Sequence, residues 1–231
     1  INDIKKLSVT NIEIPKTYYS ISENLGNNYF TVTISGTKTL IKVDDANYTP
    51  STLQSAINTA LTGLNITCAL NVNAKSSFTA ASGSILIDFD VDKYGNKDKY
   101  NFKYKLGWLL GFRNTSYTVT ATTTSEAFIN LTGPNYLYLA LDEYSKSGNQ
   151  NSFSSPLFSS MVNKSVLARI SIDHNYYGFG EVIVANASYG NLLSDSRSYT
   201  GKIDLQKMNV QLLNEIGAPM NLNGLYFSFC L

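Results

Sequence analysis

Groups that do chemistry are scarce in this sequence of 231 residues, which has one histidine, two cysteines and no excess of either charge (formal net charge +1). One histidine and two distant cysteines cannot supply the closely spaced ligands of a zinc site. Neither a glycine-rich dinucleotide loop nor a lysine-bearing phosphate loop occurs. No segment concentrates Lys and Arg, so direct contact with nucleic acid is not predicted. The sequence therefore predicts no cofactor and no metal.

Long apolar runs and an N-terminal signal-peptide pattern are also lacking. No segment reaches the ~20 apolar residues that span a bilayer, so no membrane span is predicted. Cys68 and Cys230 are expected to be small buried hydrophobes, with a disulfide as the less favoured alternative. This cysteine usage is typical of a chain made in a reducing cytosol. Six Asn-x-Ser/Thr sequons occur, but a chain rich in these residues produces them by chance, and we discount them.

Charged residues make up only 15% of the chain, whereas hydrophobic residues make up 43% and aromatic residues 12%. That hydrophobic fraction is enough for a substantial core. The surface is expected to be rich in Asn, Ser, Thr and Tyr, and neutral polar groups cost less to bury against a partner than charges do. Permanent contact with other proteins is one explanation of this composition. A codon bias toward Asn, Lys, Ile and Tyr is an equal alternative.

Alternation of apolar and polar residues predicts about ten β-strands. The alternation is clearest at residues 7–14 and 29–34. The other strand patterns cover residues 39–43, 65–72, 84–91, 117–122, 135–141, 166–172, 180–185, 204–213 and 225–231. Short strands separated by turn signals are typical of an all-β, jelly-roll-type sandwich. No repeat or linker divides the chain, so we predict a single domain over residues 1–231, with a long flexible loop near residues 145–160.

One amphipathic helix interrupts the strands at about residues 50–62. Thr49 is its predicted N-cap, Pro50 lies in its first turn, and Gly63 follows its end. Its apolar residues form a single stripe, which predicts a helix that covers one face of a sheet. The apolar segment 106–112 is predicted to be a short helical or irregular segment.

Two places are candidates for catalysis, and both have simpler explanations. His174 lies in an Asp-His-Asn sequence that is typical of a turn, without a nucleophile nearby, so a structural role is favoured. Asp142 and Glu143 follow an apolar strand, where adjacent side chains point to opposite faces. They can flank one glycosidic bond only if the strand ends there. We therefore predict no catalytic residues and no enzyme.

The acidic run from Asp88 to Asp92 resembles the start of a calcium loop. The resemblance fails at Lys93, which replaces the turn glycine, and at Lys99, where a bidentate glutamate is required. Alternating carboxylates on the solvent face of a strand are the better explanation. A weak metal contact shared with a neighbouring molecule is the alternative.

The sequence contains sixteen tyrosines. Tyrosine joins a large apolar ring to one polar group, which suits it to interfaces, to sugar-binding surfaces and to ordinary sandwich packing. All three explanations are open. The tyrosines concerned are Tyr18, Tyr19, Tyr136, Tyr138, Tyr144, Tyr176, Tyr177, Tyr189 and Tyr199.

Five features, taken in chain order, resemble the jelly-roll minor capsid and penton-like proteins of nucleocytoplasmic large DNA viruses. They are residues 9–21 with 27–32, the helix-forming segment 47–61, Leu-Gly-Trp-Leu-Leu-Gly-Phe-Arg at 106–113, residues 133–144, and the closing strand at 222–229. Each feature alone is unspecific, because it contains only residues that are typical of strands and turns. Together they extend over nearly the whole chain.

The resemblance implies a structural minor capsid protein of a large icosahedral DNA virus, synthesised in the host cytoplasm and located in the virion. The implied partners are the major capsid protein, other minor capsid proteins, or copies of this chain in a vertex (penton) assembly. It implies no catalytic residues. The competing hypothesis is a glycan-binding β-sandwich module or fibre head, and an enzyme that uses Asp142 or Glu143 is the third.

Overall fold

The computed structural model describes residues 1–70, 74–98, 102–142, 165–194 and 196–231. The strands in these residues are β1 (Ile4–Leu7), β2 (Asn11–Pro15), β3 (Tyr29–Ile34), β4 (Thr37–Lys42), β5 (Ile66–Leu70), β6 (Ser76–Ala80), β7 (Ile85–Asp88), β8 (Ser116–Val119), β9 (Thr122–Thr124), β10 (Tyr136–Asp142), β11 (Val166–Ser171), β12 (Val182–Asn186), β13 (Leu192–Ser194), β14 (Arg197–Ile203), β15 (Asn209–Leu213) and β16 (Ser228–Cys230). The helices are α1 (Pro50–Ala60) and α2 (Leu106–Leu109), with 3-10 turns at Phe102–Tyr104 and Ala187–Tyr189. All strand pairs among the described residues are antiparallel, which confirms the all-β prediction.

The chain divides into two compact units. Unit 1 comprises residues 1–18 and 134–231, and unit 2 comprises residues 19–133. Each unit has its own buried apolar core. The prediction of a single domain means that both units unfold together in one cooperative transition. It stays a prediction. The predicted loop at residues 145–160 lies outside the described residues.

Unit 1 is a sandwich of two sheets with the strand orders β13-β11-β10-β15 and β12-β2-β16. Ile12 and Ile14 of β2 share a core with Leu137, Leu139 and Leu141 of β10, and all five side chains are fully buried. The chain changes sheet between β11 and β12 and again between β12 and β13. Sheet neighbours are therefore mostly distant in sequence, as jelly-roll topologies require. Strands β1 and β14 pair separately as a two-stranded ribbon.

Unit 2 is a second sandwich, with the strand orders β4-β3-β7-β8 and β5-β6-β9. Its core contains Phe30, Phe78, Phe89 and Phe112, and neighbouring ring centroids lie 5.2 to 6.2 Å apart in stacked, tilted and edge arrangements. Such geometries are favourable because the positive ring edge meets the negative ring face. The predicted sandwich architecture is confirmed, and the chain builds it twice.

Helix α1 begins where its capping residues predict. The backbone N–H of Thr52 donates to Thr49 Oγ1 (3.3 Å), and the backbone N–H of Thr49 donates back to Thr52 Oγ1 (3.0 Å). This reciprocal pair satisfies two N–H groups that the helix itself leaves unbonded. Leu53 and Ile57 bury the apolar stripe in the core of unit 2. The segment 106–112 contains the four-residue helix α2, as predicted.

Several strands differ from the alternation pattern. Strand β6 has no counterpart in the prediction because its sequence, Ser-Ser-Phe-Thr-Ala, begins with two hydroxyl residues. Ser76 is nonetheless fully buried, since its Oγ donates to the carbonyl of Leu110 (2.7 Å). Strands β13 and β14 are also unpredicted. The pattern at residues 204–213 is wrong before Asn209, where β15 begins, and the pattern at 225–231 forms a strand only at Ser228–Cys230.

We expect Gly107→Ala to destabilise unit 2, because a Cβ at this position would lie 2.2 Å from Cγ of the Phe89 ring. Overpacking of a closed core costs about 1–3 kcal/mol. Gly201→Ala is the control, since nothing lies within 4 Å of its Cβ position. Differential scanning calorimetry measures both. One transition that shifts as a whole supports the single-domain prediction, whereas a shift of only one of two transitions contradicts it. An unchanged thermogram contradicts the packing argument.

Candidate interaction surface

A tightly bonded loop joins β11 to β12 in unit 1. Its backbone extends the pairing of β2 with β12, because Lys16 N donates to Glu181 O (2.8 Å) and Gly180 N donates to Lys16 O (2.9 Å). The Lys16 ammonium also donates to the carbonyl of Tyr177. Within the loop, Tyr177 N donates to Asp173 O (3.1 Å). These bonds hold both sides of the loop in a defined position.

The two adjacent tyrosines of this loop point in different directions. Tyr177 packs against the core of unit 1, and its hydroxyl donates to Val184 O (3.2 Å). Tyr176 is 75% exposed, and its ring meets that of Tyr177 edge to face with centroids 4.8 Å apart. Phe179 and Val182 are also exposed, at 56% and 49%. We call Tyr176, Phe179 and Val182 the aromatic loop surface.

Exposed apolar side chains are concentrated in unit 1. Among the described residues, ten of the fourteen exposed large hydrophobic side chains belong to this unit. Besides the aromatic loop surface, they are Ile1, Tyr189, Leu193, Met208, Leu225, Tyr226 and Leu231. Single exposed apolar residues are normal, but aromatic rings on a rigid backbone are typical of interface anchors because little entropy is lost when they bind.

The predicted tyrosine set is distributed between core and surface. Tyr18 and Tyr138 are buried, so they have the packing role that was one of the three explanations. Tyr136 is half-buried beneath the guanidinium of Arg169, whose carbon lies 4.3 Å from the ring centroid. Tyr176 and Tyr189 are exposed, and Tyr144 lies outside the described residues. Phe179 and Val182 were not among the candidates, because apolar residues beside a strand are ordinarily expected in the core.

The acidic run contradicts the solvent-face prediction. Asp88 and Asp90 are only 5% and 6% exposed, and Lys97 Nζ lies 2.9 Å from Asp88 Oδ1 and 2.6 Å from Asp90 Oδ1. The physical reason is that the turn after β7 folds back over the sheet, with Asp98 N donating to Asp90 O (2.7 Å). Asp92 closes that turn by accepting N–H bonds at its Oδ1. The Lys97 ammonium therefore neutralises two of the carboxylates of the calcium-loop-like run.

A second lysine neutralises the other end of the same turn. Lys105 is 4% exposed, and its Nζ donates to Asp98 Oδ2 (2.6 Å) and to Val91 O (2.9 Å). It also lies 5.4 Å from the centroid of the Tyr29 ring. Burial, together with carboxylates that include Asp98, raises the pKa of Tyr29 to about 12. Throughout the described ranges no group of three or more His, Cys, Asp or Glu side chains has the geometry of a metal site.

The other described candidate residues are His174, Asp142, Cys68 and Cys230. His174 Nε2 is 3.0 Å from Pro134 O, a distance that fits a donated N–H bond. Asp142 ends β10, and Glu143 lies outside the described residues. Cys68 is buried, and burial raises the pKa of its thiol to about 12. Cys230 is exposed, which contradicts the expectation that it is buried, and neither cysteine forms a disulfide. None of the described helices is long and apolar enough to cross a membrane.

We expect Lys97→Met to lower the free energy of unfolding by about 2 kcal/mol, because it leaves two buried carboxylates without their charged donor. The Lys97 side chain is half exposed, so the loss is smaller than for a fully buried ion pair. Lys93→Met is the matched control, since Lys93 is as exposed as Lys97 but its partner Glu23, 3.5 Å away, is itself exposed to solvent. Urea denaturation compares the variants. Equal midpoints for the two would contradict the structural role of Lys97.

We expect His174 to make the protein less stable as the pH falls. Burial lowers the pKa of His174, and the charge of Lys16 acts in the same direction against the carboxylates of Asp173 and Glu215. Below the ordinary value of about 6.5 the unfolded chain therefore binds a proton that the folded chain does not, so stability decreases from there down to the lowered pKa. His174→Gln keeps a donor for Pro134 O and should reduce this decrease. Melting temperatures between pH 7.5 and pH 5.5 measure it, and parallel curves would rule it out.

No family model matches the sequence, and no curated protein matches it. Among solved structures, the crystal structure of the mavirus penton protein is similar to this chain. The likeness covers 94% of this chain and 81% of that chain, with 12% sequence identity and a TM-score of 0.45. A TM-score this low carries no inference about this chain.

Proposed function

We propose that this chain is a structural subunit of a viral capsid, which acts by packing against neighbouring proteins and not by catalysis. The observation that carries the proposal is the aromatic loop surface, in which exposed rings stand on a backbone that is bonded on both sides. The segments that resemble minor capsid and penton-like proteins support the same role. In this role the chain contacts a major capsid protein, other minor capsid proteins or copies of itself in the virion.

The energetics of such a surface favour permanent contact. The exposed part of each ring is removed from water when a partner protein covers it, and this burial contributes about 25 cal/mol per Å². The anchored backbone has already lost its conformational freedom, so little further entropy is lost on association. The low charge of the chain, 15% of residues, reduces the desolvation cost of covering the surrounding surface.

The finer proposal is a minor capsid protein of a large icosahedral DNA virus, made in the host cytoplasm. A vertex position requires five copies with closed rotational symmetry, in which one surface of each copy meets a different surface of the next. A cementing position requires contact with the major capsid protein instead. Both positions use exposed apolar side chains as anchors, so the aromatic loop surface is required in either.

We expect the double variant Tyr176→Ser/Phe179→Ser to weaken assembly by more than about tenfold, because aromatic anchors dominate interface energies. Sedimentation velocity of the purified chain detects a closed pentamer. If the chain alone is monomeric, co-sedimentation with the major capsid protein is the measurement. Tyr94→Ser is the matched control, since Tyr94 is 74% exposed but belongs to unit 2.

Two outcomes would overturn the proposal. One is the absence of the chain from purified virus particles by quantitative mass spectrometry. The other is binding to a glycan array that Tyr176→Ser abolishes while the double variant assembles normally. That second result would support the glycan-binding alternative. In that case the exposed rings of Tyr176 and Tyr189 are the candidates for stacking on a sugar.

A further inference from the structure

One edge of strand β5 in unit 2 is occupied by a side chain. Ala81 N donates to Asn65 O (2.8 Å) in the register of β5 with β6, so alternate residues, including Cys68, point their backbone groups away from β6. Asn58 Oδ1 accepts from Cys68 N (2.7 Å), and Asn58 Nδ2 donates to Cys68 O (2.8 Å). One amide group thus makes both bonds that a residue of a neighbouring strand would make.

Helix α1 repeats this contact one step further along β5. Gln54 Oε1 accepts from Leu70 N (2.8 Å). Gln54 and Asn58 are one helical turn apart, a rise of about 6 Å, and Cys68 and Leu70 are two strand residues apart, about 6.6 Å. Because the two spacings agree, a helix that runs antiparallel to the strand closes its edge at two successive positions.

Strand β12 in unit 1 has a similar arrangement. The bond from Lys16 N to Glu181 O belongs to the register of β2 with β12, so Val184 and Asn186 point their backbone groups away from β2. Asn191 Nδ2 donates to Val184 O (2.9 Å), which also accepts from the Tyr177 hydroxyl (3.2 Å), and Asn191 Oδ1 accepts from Asn186 N (3.1 Å). We call the Asn58 and Asn191 contacts the amide clamps.

The clamps occur where the other protections of an edge strand are lacking. Among the residues that the structure describes, the edge strands of five or more residues in the four larger sheets are β4, β5, β12 and β15. Strand β4 carries the exposed lysines Lys38 and Lys42, and β15 is covered by its own chain, since Met220 N donates to Leu212 O (2.9 Å). Strands β5 and β12 contain neither charge nor proline, and such edges are templates for pairing with another chain.

We propose that the amide clamps of Asn58 and Asn191 keep strands β5 and β12 closed to strand addition by a second copy of this chain. With the clamps in place, β5 and β12 of the free subunit can contact a second copy through their side chains but not through backbone hydrogen bonds. This inference does not depend on the proposed function, because it concerns backbone pairing of the purified chain.

The test uses Asn191→Ala in the Tyr176→Ser/Phe179→Ser background, so that the side-chain surface cannot cause association. Sedimentation velocity should show new concentration-dependent association, and hydrogen exchange at the amide of Asn186 should accelerate roughly tenfold or more. Adding Val182→Lys places a charge on the same edge. It should restore the sedimentation of the parent while exchange at Asn186 stays fast. Asn175→Ala is the control, since Asn175 is exposed and precedes the strand.

Asn58→Ala provides the same measurement at the amide of Cys68 and keeps the test decisive if Asn191→Ala fails to fold. Association of either clamp variant, reversed by the edge charge in the case of β12, supports the proposal. A folded clamp variant with fast exchange at the released amide and unchanged sedimentation would overturn it, since the edge would then be open without pairing.

Discussion

The backbone N–H and C=O groups at the borders of the sheets are the constraint on which both units depend. In the described part of the chain, the four larger sheets of the two sandwiches have eight edge strands, and each backbone group at an edge must be bonded or left to water. Helix α1, the longest helix among the described residues, meets this constraint at one edge. Helix α1 buries Leu53 and Ile57 in the core and, on an adjacent face, directs Gln54 and Asn58 to the edge of β5. One element therefore closes both a core and an edge.

The carboxylates at the turn after β7 in unit 2 are paired with lysines. Asp88 and Asp90 are held by Lys97, and Asp98 is held by Lys105 over the same turn. Asp88, Asp90 and Asp98 each lie 2.6 to 2.9 Å from a lysine ammonium, so these three carboxylates belong to structural ion pairs. The carboxylates of the acidic run therefore stabilise the turn that packs over the sheet. Chemistry of that kind suits a rigid scaffold.

Local signals made some of the structure predictable. Thr49, Pro50 and the apolar stripe define α1 because capping and periodicity act within a few residues. The burial of Asp88 was not predictable, since it depends on how the turn carrying Lys97 folds back. Ser76 in β6 is buried through a bond to Leu110, a residue 34 positions away. The boundary near Tyr18 and Pro134 carries no composition change, because both units are sandwiches built from the same kinds of strand.

The aromatic loop surface also escaped full prediction for a physical reason. Tyr176 and Tyr177 are adjacent and chemically identical, yet one hydroxyl bonds Val184 O in the core and the other ring is exposed. The backbone bonds of Lys16 to Gly180 and Glu181, and of Tyr177 to Asp173, hold the loop in which the two rings diverge. The Lys16 bonds continue the β2–β12 pairing, so the exposed rings and the clamped edge belong to one rigid element. A subunit that must meet neighbours through chosen side chains needs both properties there: a fixed apolar surface, and an edge that does not pair with the first strand it encounters.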